Sequence, residues 1–254
     1  MIDVLKKGWA KLLSAALLML LVAGCAAEME QVKTGTVYPQ TLALMESMNM
    51  DRGAPIFVRI YKQESTLEVW KQDRGGAFRL LKSYAICHFS GAIGPKKAEG
   101  DHQAPEGFYE IGPGQMNPHS REYLSFNLGY PNAFDRSYGR TGDSLMVHGG
   151  CRSVGCYAMT NEQMEEIYGL AYEAFHAGQD RFQVQALPFR MTADNLDRAR
   201  TDANAPFWEN LKEGTDYFDR NLQPPDVSAC NGRYVFDAQT AMTHLSGGGS
   251  CTRL

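Results

Sequence analysis

The sequence contains no apolar run long enough to cross a membrane: the run Leu12–Ala23 has 12 residues, whereas a membrane-spanning helix needs about 20. It also lacks a basic run, and 29 acidic residues outnumber 25 basic ones, for a net charge of −4. This charge argues against nucleic acid as a partner. Repeats and low-complexity tracts are absent too, so the length fits one sizeable core, or one domain with an extension.

The first residues indicate export. Three lysines precede the apolar run, and small residues follow it up to Cys25, which is the pattern of a secretion signal. The residues Val-Ala-Gly-Cys ending at Cys25 resemble a bacterial lipobox, which implies a lipidated N-terminal cysteine held firmly on a membrane. By the same resemblance, Ala26 implies sorting to a Gram-negative outer membrane, facing the periplasm. The alternative is an ordinary signal with Cys25 unmodified.

The sequence divides into four segments. They are a lipoprotein signal peptide at 1–24, a tether with a short helix near Thr41 to Met48 at 25–54, a main domain at 55–189, and a partly helical C-terminal extension at 190–254.

Strands dominate the main domain, where runs rich in β-branched and aromatic residues are separated by turn signals. The predicted strands are IFVRIY, STLEVW and FRLLKSYAI as a meander, Gly107 to Ile111 after a loop rich in glycine and proline, Glu122 to Leu128, Ser144 to His148, and RFQVQALPF.

Helices are predicted mainly towards the C-terminus. Thr160 and Gln163 form a capping box, and the apolar stripe that follows predicts one long helix. Beyond Arg190 we expect two helices divided near Pro206, then a poorly regular tail that is mobile from Thr243. The predicted fold class is mainly β with α.

The stretch SLMVHGGCRSVGCYAMT, Ser144 to Thr160, carries the most chemistry. It places His148 eight residues before Cys156. A cysteine attacks as its thiolate, which an unperturbed thiol forms only to a few per cent at neutral pH, and a nearby histidine can take the proton. Gly155 allows close backbone approach, and the amides of Gly155, Cys156 and Tyr157 could form an oxyanion hole.

Two other interpretations of this stretch stand beside the nucleophile. His148, Cys151 and Cys156 could bind zinc with Cys87 or His88, although the spacing lacks a C-x2-C pair. Alternatively, Cys151 and Cys156 could form a structural bridge beside a surface histidine. The five cysteines after Cys25 are an odd number in a compartment where disulfides form, so at least one thiol is left over. Those five are Cys87, Cys151, Cys156, Cys230 and Cys251.

Four ordered motifs favour the nucleophile. The run Ser153-Val-Gly-Cys156, preceded by Val-His148-Gly149, resembles the signature of the L,D-transpeptidase (YkuD-type) catalytic domain. The runs SGAIGPKKAEGDHQAPEGFY, FNLGYPNAFD, GRTGDSLMVHG and SVGCYAMT are similar to its murein L,D-transpeptidase YafK-type branch. The resemblance covers roughly residues 55–189, and FWENLKEG and CNGRYVF extend it into the C-terminal extension.

The resemblance implies a β-sandwich-like catalytic domain in which Cys156 is the nucleophile and His148 its general base and acid. Ser153 and Gly155 would shape the turn, and amides around Cys156, including that of Tyr157, the oxyanion hole. Val154 and Ala158 depart from the family pattern, which has histidine at the first position and arginine or asparagine at the second. By the resemblance, the second departure removes a structural or substrate contact. The residues that could bind the substrate instead are Arg140, Arg136, Arg152 and Gly149.

The resemblance also implies a function. We expect a lipid-anchored periplasmic enzyme that acts through a thioester on the diaminopimelate of peptidoglycan stem peptides, with no metal or organic cofactor. A hydrolase that releases a peptidoglycan-attached lipoprotein, and a non-catalytic wall-binding lipoprotein, are the alternatives. For the cysteines other than Cys156 our hypothesis pairs Cys230 with Cys251 and Cys87 with Cys151; a Cys151–Cys156 bridge would instead switch the enzyme off.

Overall fold

The computed structural model describes residues 32–254. The predicted signal peptide and Cys25 therefore lie outside the described residues. Within residues 32–254, no helix combines the length and the apolar character that crossing a membrane requires.

Thirteen strands and six α-helices form the described part of the chain. In chain order they are α1 (Pro39–Ser47), β1 (Ile56–Tyr61), β2 (Thr66–Gln72), β3 (Phe78–Ala85), β4 (His88–Phe89), β5 (Gly107–Ile111), a 3-10 turn (Pro113–Gln115), β6 (Met116–Asn117), β7 (Ser125–Asn127), α2 (Ala133–Ser137), β8 (Met146–His148), β9 (Tyr157–Ala158), α3 (Asn161–His176), β10 (Phe182–Leu187), α4 (Ala193–Ala199), α5 (Ala205–Asn221), β11 (Ser228–Cys230), β12 (Arg233–Val235), α6 (Ala238–Ser246) and β13 (Cys251–Arg253).

Two five-stranded sheets form the main domain. The first has the order β3-β2-β1-β10-β5, in which β1 and β10 run parallel and the other neighbours run antiparallel. The second has the order β4-β9-β8-β7-β6, in which only β8 and β9 are parallel. Both sheets are thus mixed, and the predicted meander β1-β2-β3 is confirmed. The predicted mainly β fold with helices is confirmed as well.

One apolar core is shared by the two sheets and α3. Side chains of both sheets, such as Val58 and Phe126, contribute to it together with Ile167 and Leu170 of α3. The predicted capping box begins this helix, because the Thr160 hydroxyl accepts a hydrogen bond from the Gln163 amide. The helix therefore starts at a fixed position after β9 and holds the second sheet against the first.

Strand β1 is buried on both faces. Successive side chains of a strand point to opposite faces, so Val58 faces the shared core while Phe57 stacks on Phe218 of α5 with centroids 4.6 Å apart. Arg59, on the same face as Phe57, donates to Asp219 Oδ1 at 2.8 Å. The C-terminal extension therefore covers the first sheet, and burying one such phenylalanine contributes roughly 1.5–3 kcal/mol.

A fully buried ion pair of the main domain is also bonded to the extension, through Trp208 of α5. Lys62 Nζ lies 3.0 Å from Glu106 Oε1, and the ammonium also donates to the carbonyl oxygens of Gly94 and Ala104. The other Glu106 oxygen accepts from Trp208 Nε1 of α5 at 2.9 Å. Burial lowers the pKa of Lys62, and Glu106 opposes this shift. Because every charged atom has a partner, the pair is tolerated in the interior.

The predicted poorly regular tail is wrong, while its mobility from Thr243 stays a prediction. A three-stranded sheet with the order β12-β11-β13, together with α6, occupies the last residues. Cys230 and Cys251 face each other across β11 and β13 and form a disulfide, as predicted. The strands are only three residues long, so no alternation was visible in the sequence. The helix boundary near Pro206 is confirmed, because α5 begins at Ala205.

The segment before β1 packs on α3. The Thr36 amide donates to the Glu165 carbonyl at 3.1 Å, and the buried Glu166 carboxylate accepts hydrogen bonds from Thr41, Lys82 and Tyr84. The predicted short helix is present as α1. These contacts attach the described part of the segment, from Lys33 onward, to the main domain.

Candidate active site

The parallel pair β8 and β9 brings the two predicted catalytic residues together. Val147 and His148 of β8 lie opposite Tyr157 and Ala158 of β9, so Cys156, just before β9, falls beside Met146. Residues two apart on a strand share a face. Cys156 therefore lies diagonally across from His148 on the same face of the second sheet.

The Cys156 thiol is held by backbone groups of β8 and of the segment just before it. The Met146 amide donates to Sγ at 3.4 Å, and the thiol donates to the Ser144 carbonyl oxygen at 3.7 Å. Within the described residues, His148 and Cys156 are not hydrogen-bonded to each other. The thiol donates to a carbonyl oxygen in this arrangement, which we call the resting state, and therefore carries its proton. The absence of a hydrogen bond between the two residues leaves their predicted roles open, because catalytic hydrogen bonds are often long before substrate binds.

His148 is buried and its ring is oriented by the next residue. Its Nδ1 lies 2.5 Å from the Gly149 carbonyl oxygen. A carbonyl oxygen only accepts, so Nδ1 carries the hydrogen, and in the neutral ring Nε2 holds the free lone pair. Nε2 is therefore the nitrogen able to accept a proton from a thiol.

The electrostatics around Cys156 favour the neutral thiol. Burial raises the pKa of Cys156 above its usual value. The Met146 amide and the nearby charge of Lys96 oppose the rise, whereas Glu122 adds to it. Because the thiolate does not form readily by itself, this cysteine needs a base to act as a nucleophile.

A tight turn precedes the thiol. The Cys156 amide donates to Ser153 Oγ at 2.8 Å, and that hydroxyl donates back to the Cys156 carbonyl oxygen at 2.6 Å. Gly155 has φ of +106°, a backbone conformation that residues other than glycine rarely adopt. The Gly155 amide has no hydrogen-bond partner among the described residues. Tyr157, by contrast, is part of β9, which pairs with β4 on one side and with β8 on the other. The oxyanion hole stays a prediction, for which Gly155 offers a buried amide without a hydrogen-bond partner among the described residues.

A disulfide holds the loop between His148 and Cys156. Cys151 is bonded to Cys87, the residue before β4, as predicted, and Cys156 is the free cysteine among residues 32–254. The Cys151–Cys156 bridge is therefore absent, and that interpretation is wrong. Two of the thiolates considered for zinc are also consumed, and the described residues contain no cluster of three or more histidine, cysteine or acidic side chains able to hold a metal.

The predicted substrate-binding residues lie in different surroundings. Arg140 is nearly buried and bonds to Asp135 at 2.7 Å, Arg136 is bonded to the Pro131 carbonyl oxygen, and Arg152 is exposed on the loop after Cys151. A side chain at Gly149 would collide with Asn161 and with the Glu122 backbone. Their roles in binding stay predictions.

Three residues near the site escaped the sequence analysis. Lys96 and Glu122 act on the Cys156 charge from separate loops, and Ser125 of β7 lies directly opposite His148, with a buried hydroxyl that has no partner. Lys96 is fixed by an ion pair with Asp101 at 2.6 Å. Hydrogen bonds to Lys96 and to backbone amides lower the pKa of Asp101 to about 2 although burial opposes them. Only the tertiary structure places these groups, so no sequence signal pointed to them.

This fold and this cysteine–histidine pair match a known class of protein. A model of the YkuD L,D-transpeptidase catalytic domain matches residues 55–184. The chain therefore belongs to this family of peptidoglycan-modifying L,D-transpeptidases.

Individual relatives agree with the family. The chain is 46% identical over 183 residues to the "Putative L,D-transpeptidase YafK" of Escherichia coli K12, covering 72% of this chain and 74% of that protein. The same values hold for the protein of that name in Escherichia coli O157:H7.

Solved structures are more distant. Two structures of the helical cell shape determining protein Pgp2 from Campylobacter jejuni are similar with TM-scores of 0.44 and 0.42 and identities of 22% and 20%. They cover 72% and 74% of this chain and 66% and 79% of the Pgp2 chains. Similarity at this level carries no functional weight.

Proposed function

We propose that this protein is a cysteine-dependent L,D-transpeptidase that modifies the stem peptides of peptidoglycan. The observation that carries the proposal is the free Cys156 thiol beside a buried His148 whose Nδ1 is bound to a carbonyl oxygen. The family and the YafK relatives support the substrate class.

The proposed reaction has two steps. His148 Nε2 takes the thiol proton as Cys156 Sγ attacks the L-centre carbonyl of a diaminopimelate residue; the C–N bond then breaks, and His148 returns the proton to the leaving amine. An acceptor amine next attacks the thioester, loses a proton to His148 and releases Sγ. The Gly155 amide, in the turn before Cys156, would stabilise the oxyanion of each tetrahedral intermediate. Water as acceptor would make the same enzyme a hydrolase.

We further propose that the protein works in the periplasm as a lipoprotein anchored through Cys25, because the residues Val-Ala-Gly-Cys ending at Cys25 resemble a lipobox. The two disulfides support export, because such bonds persist mainly outside the reducing cytosol. A lipid anchor would hold the enzyme within reach of the peptidoglycan layer. Metabolic labelling with an azido-palmitate analogue tests the anchor: a labelled protein is expected, and Cys25→Ala should remove the label.

The decisive test is muropeptide analysis. The soluble form, lacking residues 1–25, is incubated with lipoprotein-bearing Gram-negative sacculi, beside Cys156→Ala and His148→Gln variants, and the products are separated by liquid chromatography and mass spectrometry. New cross-links, or exchanged terminal residues, that vanish in both variants are expected. Removing one member of a nucleophile–base pair typically costs at least about a hundredfold in rate.

Other outcomes are equally informative. Loss of lipoprotein-derived residues without a new bond would identify a hydrolase acting on a peptidoglycan-attached lipoprotein. Products that are unchanged by Cys156→Ala would contradict the mechanism and leave a wall-binding lipoprotein without catalysis.

A further inference from the structure

One polar side chain beside His148 has a role in neither the fold nor the reaction described above. Ser125 of β7 is completely buried, and its hydroxyl has no hydrogen-bond partner among the described residues. A buried hydroxyl of this kind destabilises the folded protein, because it gives up its hydrogen bonds to water and gains none in return. Alanine would fill nearly the same volume without that cost. This position therefore contains a hydroxyl that folding alone does not require.

The register of the second sheet places this hydroxyl beside the imidazole ring. Ser125 and His148 are direct partners in the antiparallel pair β7 and β8. Side chains of such partners point to the same face of the sheet, with their Cβ atoms about 4.5–5.5 Å apart. Rotation about one side-chain bond moves the serine oxygen among three staggered positions. Ser125 Oγ can therefore approach the ring without any movement of the backbone.

The other sheet neighbours of His148 offer no comparable group. Its direct partner in β9 is Ala158, whose methyl group neither donates nor accepts hydrogen bonds. Asn127, two residues after Ser125 and on the same face of β7, pairs with Met146 and already accepts a hydrogen bond from the Gly129 amide. Of the direct sheet partners of His148 in the described part of the chain, Ser125 is thus the one with a free hydrogen-bonding side chain.

The charge of His148 changes during the proposed reaction. In the resting state Nδ1 donates its hydrogen to the Gly149 carbonyl oxygen, and Nε2 has only a lone pair. When Nε2 takes the thiol proton, it becomes a second N–H donor on a buried, positively charged ring. Once Cys156 Sγ has bonded to carbon, the sulfur no longer carries the negative charge that paired with this ring. The imidazolium then needs another acceptor until the leaving amine takes the proton.

We propose that Ser125 is a positioning residue whose Oγ accepts a hydrogen bond from Nε2–H of the His148 imidazolium. The proposal rests on the proposed function and adds a residue to its mechanism. The S–H bond breaks as the Nε2–H bond forms, Sγ bonds to the substrate carbonyl carbon, and the leaving amine later receives the same proton. Ser125 keeps its own hydrogen throughout. Because its bond forms only with the charged ring, it stabilises the transition state and not the ground state.

Acylation kinetics with a carbapenem separate binding from chemistry. Rates measured up to saturating carbapenem give a dissociation constant and an acylation rate constant for the parent protein and for Ser125→Ala. We expect the rate constant to fall about tenfold, as loss of one hydrogen bond to a charged group would produce, while the dissociation constant stays unchanged. The matched control is Ser228→Ala, which removes another buried serine hydroxyl, from β11, and should leave both quantities at the parent values.

Urea unfolding distinguishes this role from a structural one. Ser125→Ala should unfold at the same urea concentration as the parent or at a higher one, because it removes a buried hydroxyl that has no partner in the resting state. A hydroxyl that mainly supported the fold would show the opposite result, a fall in stability together with the fall in acylation.

Nuclear magnetic resonance observes the contact without catalysis. In Cys156→Ala protein labelled with 15N-histidine and titrated to the charged ring, the Nε2–H signal of His148 should be visible, and adding Ser125→Ala should broaden it through exchange with water. An unchanged signal, an unchanged acylation rate constant, or a lowered stability of Ser125→Ala would overturn the role of Ser125. Absence of any Cys156 adduct in the parent protein would instead count against the proposed function, and the resonance comparison would still decide whether Ser125 contacts the ring.

Discussion

The loop around Cys156 and the C-terminal sheet each contain one disulfide, but their backbones differ. In the sheet, Cys230 and Cys251 are opposite one another in regular antiparallel register. In the loop, the bonded Cys151 itself has φ of +57°, whereas the corresponding residue near the sheet, Asn231 with φ of +50°, lies in the turn after Cys230. Such a φ costs energy for residues other than glycine. In the sheet the disulfide reinforces regular hydrogen bonding. In the loop it also keeps strained backbone in the conformation that places the thiol.

Removing each disulfide in turn tests this comparison directly, and these substitutions have the largest expected effects. They close loops of 64 and 21 residues, so chain entropy predicts that serine substitution of Cys87 and Cys151 costs about 4 kcal/mol of unfolding free energy, and of Cys230 and Cys251 about 3 kcal/mol. Acylation of Cys156 should slow about a hundredfold only in the first variant, because misplacing a reacting group by about 1 Å has that effect.

Urea unfolding and carbapenem acylation, followed by intact mass, measure the two quantities. Each double variant is the control for the other. Equal acylation rates in the two variants would show that the loop disulfide stabilises without positioning the thiol.

Two glycines with nearly the same φ sharpen the comparison further. Gly155 has φ of +106° and Gly178, after α3, has +105°. Alanine at either position should cost about 1–3 kcal/mol from backbone strain. A Cβ at Gly155 would also press on Leu145 Cδ1 at 3.3 Å, whereas Gly178 has open space.

Acylation should therefore fall in Gly155→Ala and stay unchanged in Gly178→Ala, measured at urea concentrations where both remain folded. A similar fall in both variants would mean that general loosening, rather than the local turn, controls the thiol.

The smallest expected effect concerns the titration of the thiol. Because burial raises the pKa of Cys156, its thiolate fraction at pH 7.5 should be below that of glutathione. Iodoacetamide should accordingly modify Cys156 more slowly than glutathione, and the rate should still rise above pH 9. Intact mass over pH 6–10 gives the profile. A plateau reached below pH 8 would contradict the resting state described above.

Local patterns were sufficient to predict much of the main domain. The strands β1, β2 and β3 are runs rich in β-branched and aromatic residues that turn residues separate. The predicted β5 has the observed bounds, and Thr160 with Gln163 marks the start of α3. Such features depend on neighbours in sequence, so the sequence contains their whole signal.

Other elements depend on distant residues. Strands β4 and β9 have two residues each and exist because they pair with one another and, for β9, with β8. The charges of Lys96 and Glu122 meet at Cys156 from separate loops. Periodicity cannot show either feature, since the partners are brought together only by the tertiary fold.

The double burial of β1 has a practical consequence for anyone who trims this protein. The YkuD model ends at residue 184, yet Phe57 and Arg59 of β1 are covered by α5, which lies well beyond that point. A fragment cut at the family boundary would lose β10 residues and expose an aromatic surface and an unpaired guanidinium to water. Such a fragment should aggregate on expression, so sequence-family limits are a poor guide to where this enzyme can be divided.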